Sequence, residues 1–206
     1  MEYIFATTNN GKMKEIRAIF GEYGLTVKSL SDIGLDGLNV EENGASFTEN
    51  ALIKARFYAE AMPARLGQTA VLADDSGLAV DALGGRPGVY SARFLGADTP
   101  YTEKNNRIIE MLSDIPESER AARFVCAIAC IFTGPGCGPA EFTAEAAVEG
   151  IIAREPRGGG GFGYDPIFLL PEQNRTTAEL APEEKNRVSH RGLALRAMLE
   201  KIKNGQ

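Results

Sequence analysis

The sequence predicts an α/β fold, and two patterns carry that expectation. Short apolar runs bounded by turn residues read as buried strands, at 3–6, 70–73, 120–132 and 167–170. Between them, apolar residues recur at helical spacing, as at Ile16, Ile19, Phe20 and Tyr23. The 206 residues, 44% of them hydrophobic, can bury a sizeable core in one domain or two intimate lobes.

The chain opens with the apolar run 3–6, then the polar turn Thr7, Thr8, Asn9, Asn10, Gly11 and Lys12, then a helix that Gly24 stops. Strand, polar loop and helix in that order put backbone N–H groups and Lys12 at a helix N-terminus, which suits a phosphate. A capped helix start without a ligand has the same pattern. It is no Walker A loop, because Met13 stands where Ser or Thr is required. Residues 26–30 form a second strand candidate. Residues 31–44 read as a loop containing Glu41 and Glu42. Ser46-Phe47-Thr48-Glu49 is a capping box that opens a helix running to about Met62. Asn50 and Lys54, at i and i+4, share one face of it, pointing into a site or into water.

Residues 70–95 organise the rest. The run 70–73 reads as a strand that stops at Asp74-Asp75-Ser76-Gly77. Two adjacent carboxylates beside a hydroxyl are hard oxygen ligands suited to magnesium or manganese. The same residues are also common turn formers. Gly84, Gly85, Pro87 and Gly88 make a second tight loop carrying Arg86, with Arg93 after it.

Thr99 and Pro100 read as N-cap and first residue of a further helix. Residues 120–132 are apolar on both faces, as in a central strand, and 141–152 return beside them. The glycine run 158–161 formally completes GxGxxG with Gly163. Pro166 disfavours the helix that a dinucleotide fingerprint needs, so the stretch reads instead as a flexible loop presenting Phe162 and Tyr164 to stack on a base. The tail is helical with a break, and Lys185, Arg187, His190 and Arg191 form a cationic cluster or a solvated helix junction.

The formal net charge of −6 argues against sequence-independent binding to a nucleic-acid backbone, and leaves room for a small anion carried with a divalent cation. The longest apolar run, 124–132, is too short to span a bilayer. The opening MEYIFATTNN lacks the pattern of a signal peptide, so the expected compartment is the cytoplasm. Cys126, Cys130 and Cys137 are expected as reduced thiols. On a strand, Cys126 and Cys130 would stand about 13 Å apart, too far to share a tetrahedral metal.

Six blocks, in order and spanning nearly the whole chain, resemble the inosine triphosphate pyrophosphatases. They are Thr7-x-Asn9-x-x-Lys12; Ser46-Phe47-x-Glu49-Asn50-Ala51-x-x-Lys54-Ala55; Ala73-Asp74-Asp75-Ser76-Gly77-Leu78; Gly84-Gly85-x-Pro87-Gly88-Val89-Tyr90-Ser91-Ala92-Arg93; Gly161-Phe162-Gly163-Tyr164-Asp165-Pro166; and Ser189-His190-Arg191-Gly192. Thr8, and a fourth glycine before Phe162, are small departures from the pattern.

The resemblance implies an elongated mixed sheet flanked by helices, a single domain over 1–206 with two lobes and the active site in the cleft between them, and a homodimer. It implies magnesium-dependent hydrolysis of ITP, dITP or XTP to the monophosphate and diphosphate. Thr7, Thr8, Asn9, Asn10, Gly11 and Lys12 would cradle the triphosphate. Glu41 and Asp75 would hold Mg2+, with Asp75 also the proton acceptor. Asp74, Glu42 and Lys54 would support them, Lys54 counting among the substrate-binding residues. Ser76, Phe162, Gly163, Tyr164, Asp165, Lys185, His190 and Arg191 would bind substrate, the aromatics and the last pair nearest the base. A nucleotide-binding regulator that does not cleave, or a general nucleotide phosphatase, are the competing readings.

Overall fold

The computed structural model describes residues 1–63, 66–136 and 140–204. Its eight strands are β1 (Glu2–Phe5), β2 (Lys28–Ser29), β3 (Thr69–Val80), β4 (Arg86–Pro87), β5 (Ala121–Thr133), β6 (Glu141–Ile152), β7 (Phe168–Leu170) and β8 (Arg175–Thr176). They hydrogen-bond in the order β2-β1-β3-β5-β6-β7-β8, with β4 on β3. Pairing is mixed: β1 runs parallel to β2 and β3, whereas β3–β4, β6–β7 and β7–β8 are antiparallel. The six α-helices among the described residues are α1 (Asn10–Glu22), α2 (Leu30–Ile33), α3 (Phe47–Glu60), α4 (Tyr101–Met111), α5 (Pro182–Val188) and α6 (His190–Asn204). No helix among the described residues is long and apolar enough to cross a membrane.

The chain divides into two compact units. The first comprises 1–75, 126–146 and 191–206, and the second 76–125 and 147–190. In the first unit, strand alternation explains why the apolar runs are continuous. Phe5, Ala70, Leu72, Cys126, Ile128 and Cys130 pack with Met13, Ile16, Ile19 and Phe20 of α1 and with Leu195, Met198 and Ile202 of α6. The intervening Ala6, Val71, Ala73, Ala127 and Ala129 pack instead with Ala51, Ala55 and Tyr58 of α3. Both sheet faces are covered there, so neither is polar. Cys126 and Cys130 are free and buried in this core, where burial pushes both thiols up and leaves them unreactive. Cys137 lies outside the described residues.

Several local expectations change. β3 does not stop at Asp74; it runs on through Asp75, Ser76 and Gly77 to Val80. Gly77 serves close packing rather than a turn: a Cβ there would meet Ser91 Oγ and lie 2.5 Å from the Gly88 carbonyl oxygen. The strand candidate at 26–30 shrinks to the two residues of β2, because Ser29 caps α2 by accepting from the Asp32 amide. Thr99 does not cap α4: its hydroxyl donates to the Leu95 carbonyl at 2.7 Å, and Pro100 takes the cap position. The box at α3 is offset by one residue. Ser46 Oγ accepts from the Glu49 amide, but the Glu49 carboxylate accepts from Ala45.

In the second unit, Leu78, Val80, Ile108, Leu112, Phe124, Ile152, Tyr164 and Phe168 build a separate core. Arg120 is buried beside it, with Nε on the Ile152 carbonyl (2.9 Å), Nη1 on Leu112 (3.1 Å) and Nη2 on Ala153 (3.1 Å). One guanidinium thus satisfies the chain ends of α4 and β6, which neutral side chains could not reach together. Arg120→Met should leave those carbonyls unpaired at about 1–3 kcal/mol each and lower the urea midpoint accordingly. An unchanged midpoint would remove Arg120 as the staple of this core.

Candidate active site

In the first unit the acid pair of β3 faces cations drawn from three helices. Asp74 is fully buried. Lys12 Nζ lies 3.0 Å from its Oδ1 and 2.9 Å from its Oδ2, and Arg191 Nε lies 3.4 Å from Oδ2. Arg191 also pairs with Glu15 at 2.6 Å. Lys54 Nζ donates to the Asp74 main-chain carbonyl at 2.9 Å and pairs with Glu42 at 3.0 Å. Burial alone would raise the Asp74 carboxyl, but Lys12, then Arg191, then Lys54 overcome it and hold it well below the ordinary range.

Asp75 has the opposite environment. Its side chain alternates to the other face of β3, where it accepts from Asn50 Nδ2 at 2.9 Å. Burial raises its carboxyl above the ordinary value; Asn50 and Lys54 oppose the shift, and the charge of Glu42 adds to it. The α3 face that Asn50 and Lys54 share therefore does point at the acid pair. Asn50 Oδ1 also accepts from the Gly44 amide at 2.7 Å, fixing the loop that carries Glu41 and Glu42. Neighbouring carboxyls pushed apart in this way mark an ion that stays charged and a group able to take a proton.

The polar turn before α1 is largely exposed. Thr7 Oγ1 accepts from the Asn9 amide and Asn9 Oδ1 from the Lys12 amide, so Asn9 is the N-cap. Thr8, Asn10 and Gly11 complete the turn at the positive end of a helix of 13 residues.

In the second unit, Ser76 is half-buried on β3. The glycine run is a packed strap rather than a flexible loop: the Gly160 amide donates to the Ala178 carbonyl at 2.9 Å, and a Cβ on Gly158 would come within 2.5 Å of the Ala178 backbone. Asp165 is buried and accepts from Lys185 Nζ (2.6 Å), the Phe162 amide (2.7 Å) and Thr177 Oγ1 (2.8 Å). Its oxygens hold the strap. Lys185 Nζ sits 4.8 Å from the centre of the half-buried Phe162 ring. Tyr164 offers no open stacking face. It is buried, its hydroxyl donates to the Ser91 carbonyl at 2.8 Å, and its ring meets Tyr101 edge-on.

The tail cations do not act as one cluster. Lys185 serves Asp165, Arg187 is exposed, His190 stacks on Phe124 at 4.7 Å, and Arg191 serves Asp74 and Glu15 in the first unit. Arg191 thus pairs with acids of its own unit. Glu41 is exposed, and Glu42 is the glutamate whose charge reaches Asp75. Glu15 enters the picture only through its contact with Arg191, and the Ser91 hydroxyl and carbonyl only through theirs with Leu78, Gly88 and Tyr164.

Among the described residues no three His, Cys, Asp or Glu side chains converge as a metal cage. Magnesium needs none, since it binds through one or two carboxylates together with phosphate oxygens and water. Two mutually repelling acids, Asp75 and Glu42, fit that use.

A sequence model of the Ham1 family matches residues 3–201. The dITP/XTP pyrophosphatase of Escherichia coli (strain K12) is 42% identical over 204 residues, 98% of either chain. That of Geobacillus kaustophilus is 49% identical over 194 residues, 94% of this chain and 90% of its own. The solved HAM1 protein of Coxiella burnetii superposes with a TM-score of 0.82 at 37% identity, covering 99% of both chains.

The two acids should separate in stability. Asp74→Asn leaves Lys12 and Arg191 without their buried counter-charge and should cost about 3–5 kcal/mol. Asp75→Asn removes a carboxyl that burial already disfavours, and should melt near the wild-type temperature. Equal losses in thermal melts would refute the division of roles.

Proposed function

The chain belongs to the Ham1 family, and from that premise we propose how its residues carry out the family's chemistry. The protein is a hydrolase of triphosphate anhydride bonds. It hydrolyses non-standard purine nucleoside triphosphates, of the dITP and XTP kind, to the monophosphate and diphosphate, which clears them from the nucleotide pool. The observation that carries the residue assignment is the divergence of Asp74 and Asp75 across one strand.

Asp75 is the proton acceptor for the water that attacks the α-phosphorus. Its raised carboxyl and its place beside Asn50 and Glu42 suit a group that must accept a proton near neutral pH. Asp74 keeps its charge and fixes Lys12 and Arg191. The exposed turn 7–11, with Lys12, binds the triphosphate through helix-terminal N–H groups and one ammonium. In the second unit, Phe162 and Lys185 receive the purine, one by stacking and the other by donating to an acceptor at C6.

Magnesium is the cofactor in this reading, held by Asp75 with Glu42 or Glu41. When bound it neutralises charge on the diphosphate leaving group. We also propose a homodimer working in the cytoplasm, as the resemblance to the family implies.

Incubation with ITP and magnesium should release diphosphate. Orthophosphate would indicate a phosphatase, and binding without release a regulator. Asp75→Asn should lower kcat by about 10²-fold or more, the scale of an essential base or metal ligand. Near wild-type turnover would refute the assignment. Arg191→Ala should lower kcat/KM for ITP and ATP by the same factor, because it acts through Asp74. A loss confined to ITP would return Arg191 to the base.

A further inference from the structure

The second unit contains a buried amide that the proposed chemistry does not use. Asn105, on α4, is 3% exposed. Its Nδ2 donates to the Gly163 carbonyl at 3.1 Å. Gly163 accepts there, so the amide cannot be flipped, and Oδ1 is left as a buried acceptor with no hydrogen-bond partner. Half-satisfied buried amides are costly, and one kept in a core position calls for a reason beyond packing. Its neighbours on α4 act on the same region. Tyr101 packs edge-on against Tyr164, and Lys104 Nζ donates to the Ala92 carbonyl at 2.6 Å, one residue from the Ser91 carbonyl that Tyr164 uses. Asp165 and Ala178 pin the base and flank of the strap, while Gly163, between the two aromatics, is held by Asn105.

We infer that Asn105 is a positioning residue for purine binding: through the Gly163 carbonyl it fixes the strap between Phe162 and Tyr164 in the conformation that receives the base. This rests on the assignment of that strap to the substrate. The backbone turn at Gly163 sets the direction of the Phe162 ring, so a loosened carbonyl misaims the stacking face while leaving the acids untouched. The effect falls on KM before kcat.

Asn105→Leu tests it, because leucine keeps the shape of asparagine and removes the bond and the orphan acceptor together. The melting temperature should change little: the half-buried Gly163 carbonyl loses its donor, and the orphan Oδ1, itself costly to bury, goes with it. Hydrogen exchange in peptides covering 158–165 of the substrate-free protein should quicken while the rest of the chain keeps its protection. The KM for ITP should rise about tenfold with a smaller change in kcat. Asn105→Ala, which also cuts the bond, should repeat the exchange result. Unchanged exchange at 158–165, general loosening with a lowered melting temperature, or faster exchange with an unchanged KM would each overturn the inference. A wild-type protein inert toward ITP would refute the functional reading before any variant is made, whereas the exchange measurement still decides whether Asn105 holds the strap.

Discussion

A fully buried aspartate is the constraint on which the first unit depends. Asp74 sits in a strand between two apolar layers, where an unpaired carboxylate would take up a proton or unfold the site. It stays ionised because Lys12, Arg191 and Lys54 converge on it from α1, α6 and α3. That convergence does structural work in both directions. The carboxylate orders Lys12 and Arg191, the main-chain carbonyl of the same residue holds Lys54, and the cations let β3 carry two acids through the core without breaking.

Holding Asp74 charged also defines what Asp75 can do. Successive side chains on a strand point to opposite faces, so adjacent carboxyls need not share one environment. Lys12 and Arg191 pair directly with Asp74, whereas Asp75 accepts from the neutral amide of Asn50 and feels the charges of Lys54 and Glu42. A base surrounded by tight ion pairs would be a poor proton acceptor; a base beside an amide and another acid is a better one. Lys54 couples the two, with its ammonium on the Asp74 main chain and on Glu42.

The parts legible in the sequence were those whose signal is local. Short apolar runs marked β1 and β5, the returning stretch 141–152 marked β6, and the i, i+4 spacing of Asn50 and Lys54 marked a shared face, open between a site and water, that the structure turns toward the acids. The continuation of β3 was not legible. Asp-Asp-Ser-Gly is turn composition, and the partners that let it stay extended lie 62 and 117 residues away. Nor was the pairing of Arg191 legible, because its carboxylates, Asp74 and Glu15, are remote in sequence. The packing of the glycine run was hidden for a related reason: aromatics and glycines in a row look mobile, yet the Ser91 carbonyl and the Ala178 backbone hold them.

Ser91 shows how such fixing reaches the strand of the acids. Its hydroxyl accepts from the Leu78 amide at 2.9 Å and donates to the Gly88 carbonyl at 2.6 Å, and its carbonyl accepts the Tyr164 hydroxyl at 2.8 Å. Leu78 is three residues beyond Asp75 on β3, and Tyr164 is two beyond Phe162 on the strap. Gly77 is required at this junction because any side chain would displace Ser91. One residue therefore ties the Leu78 end of β3 to the strap within the second unit. A short hydroxyl bridge and a tyrosine with its polar end satisfied hold that junction more firmly than longer flexible side chains would. The turn around Gly88 is what delivers Ser91 to it.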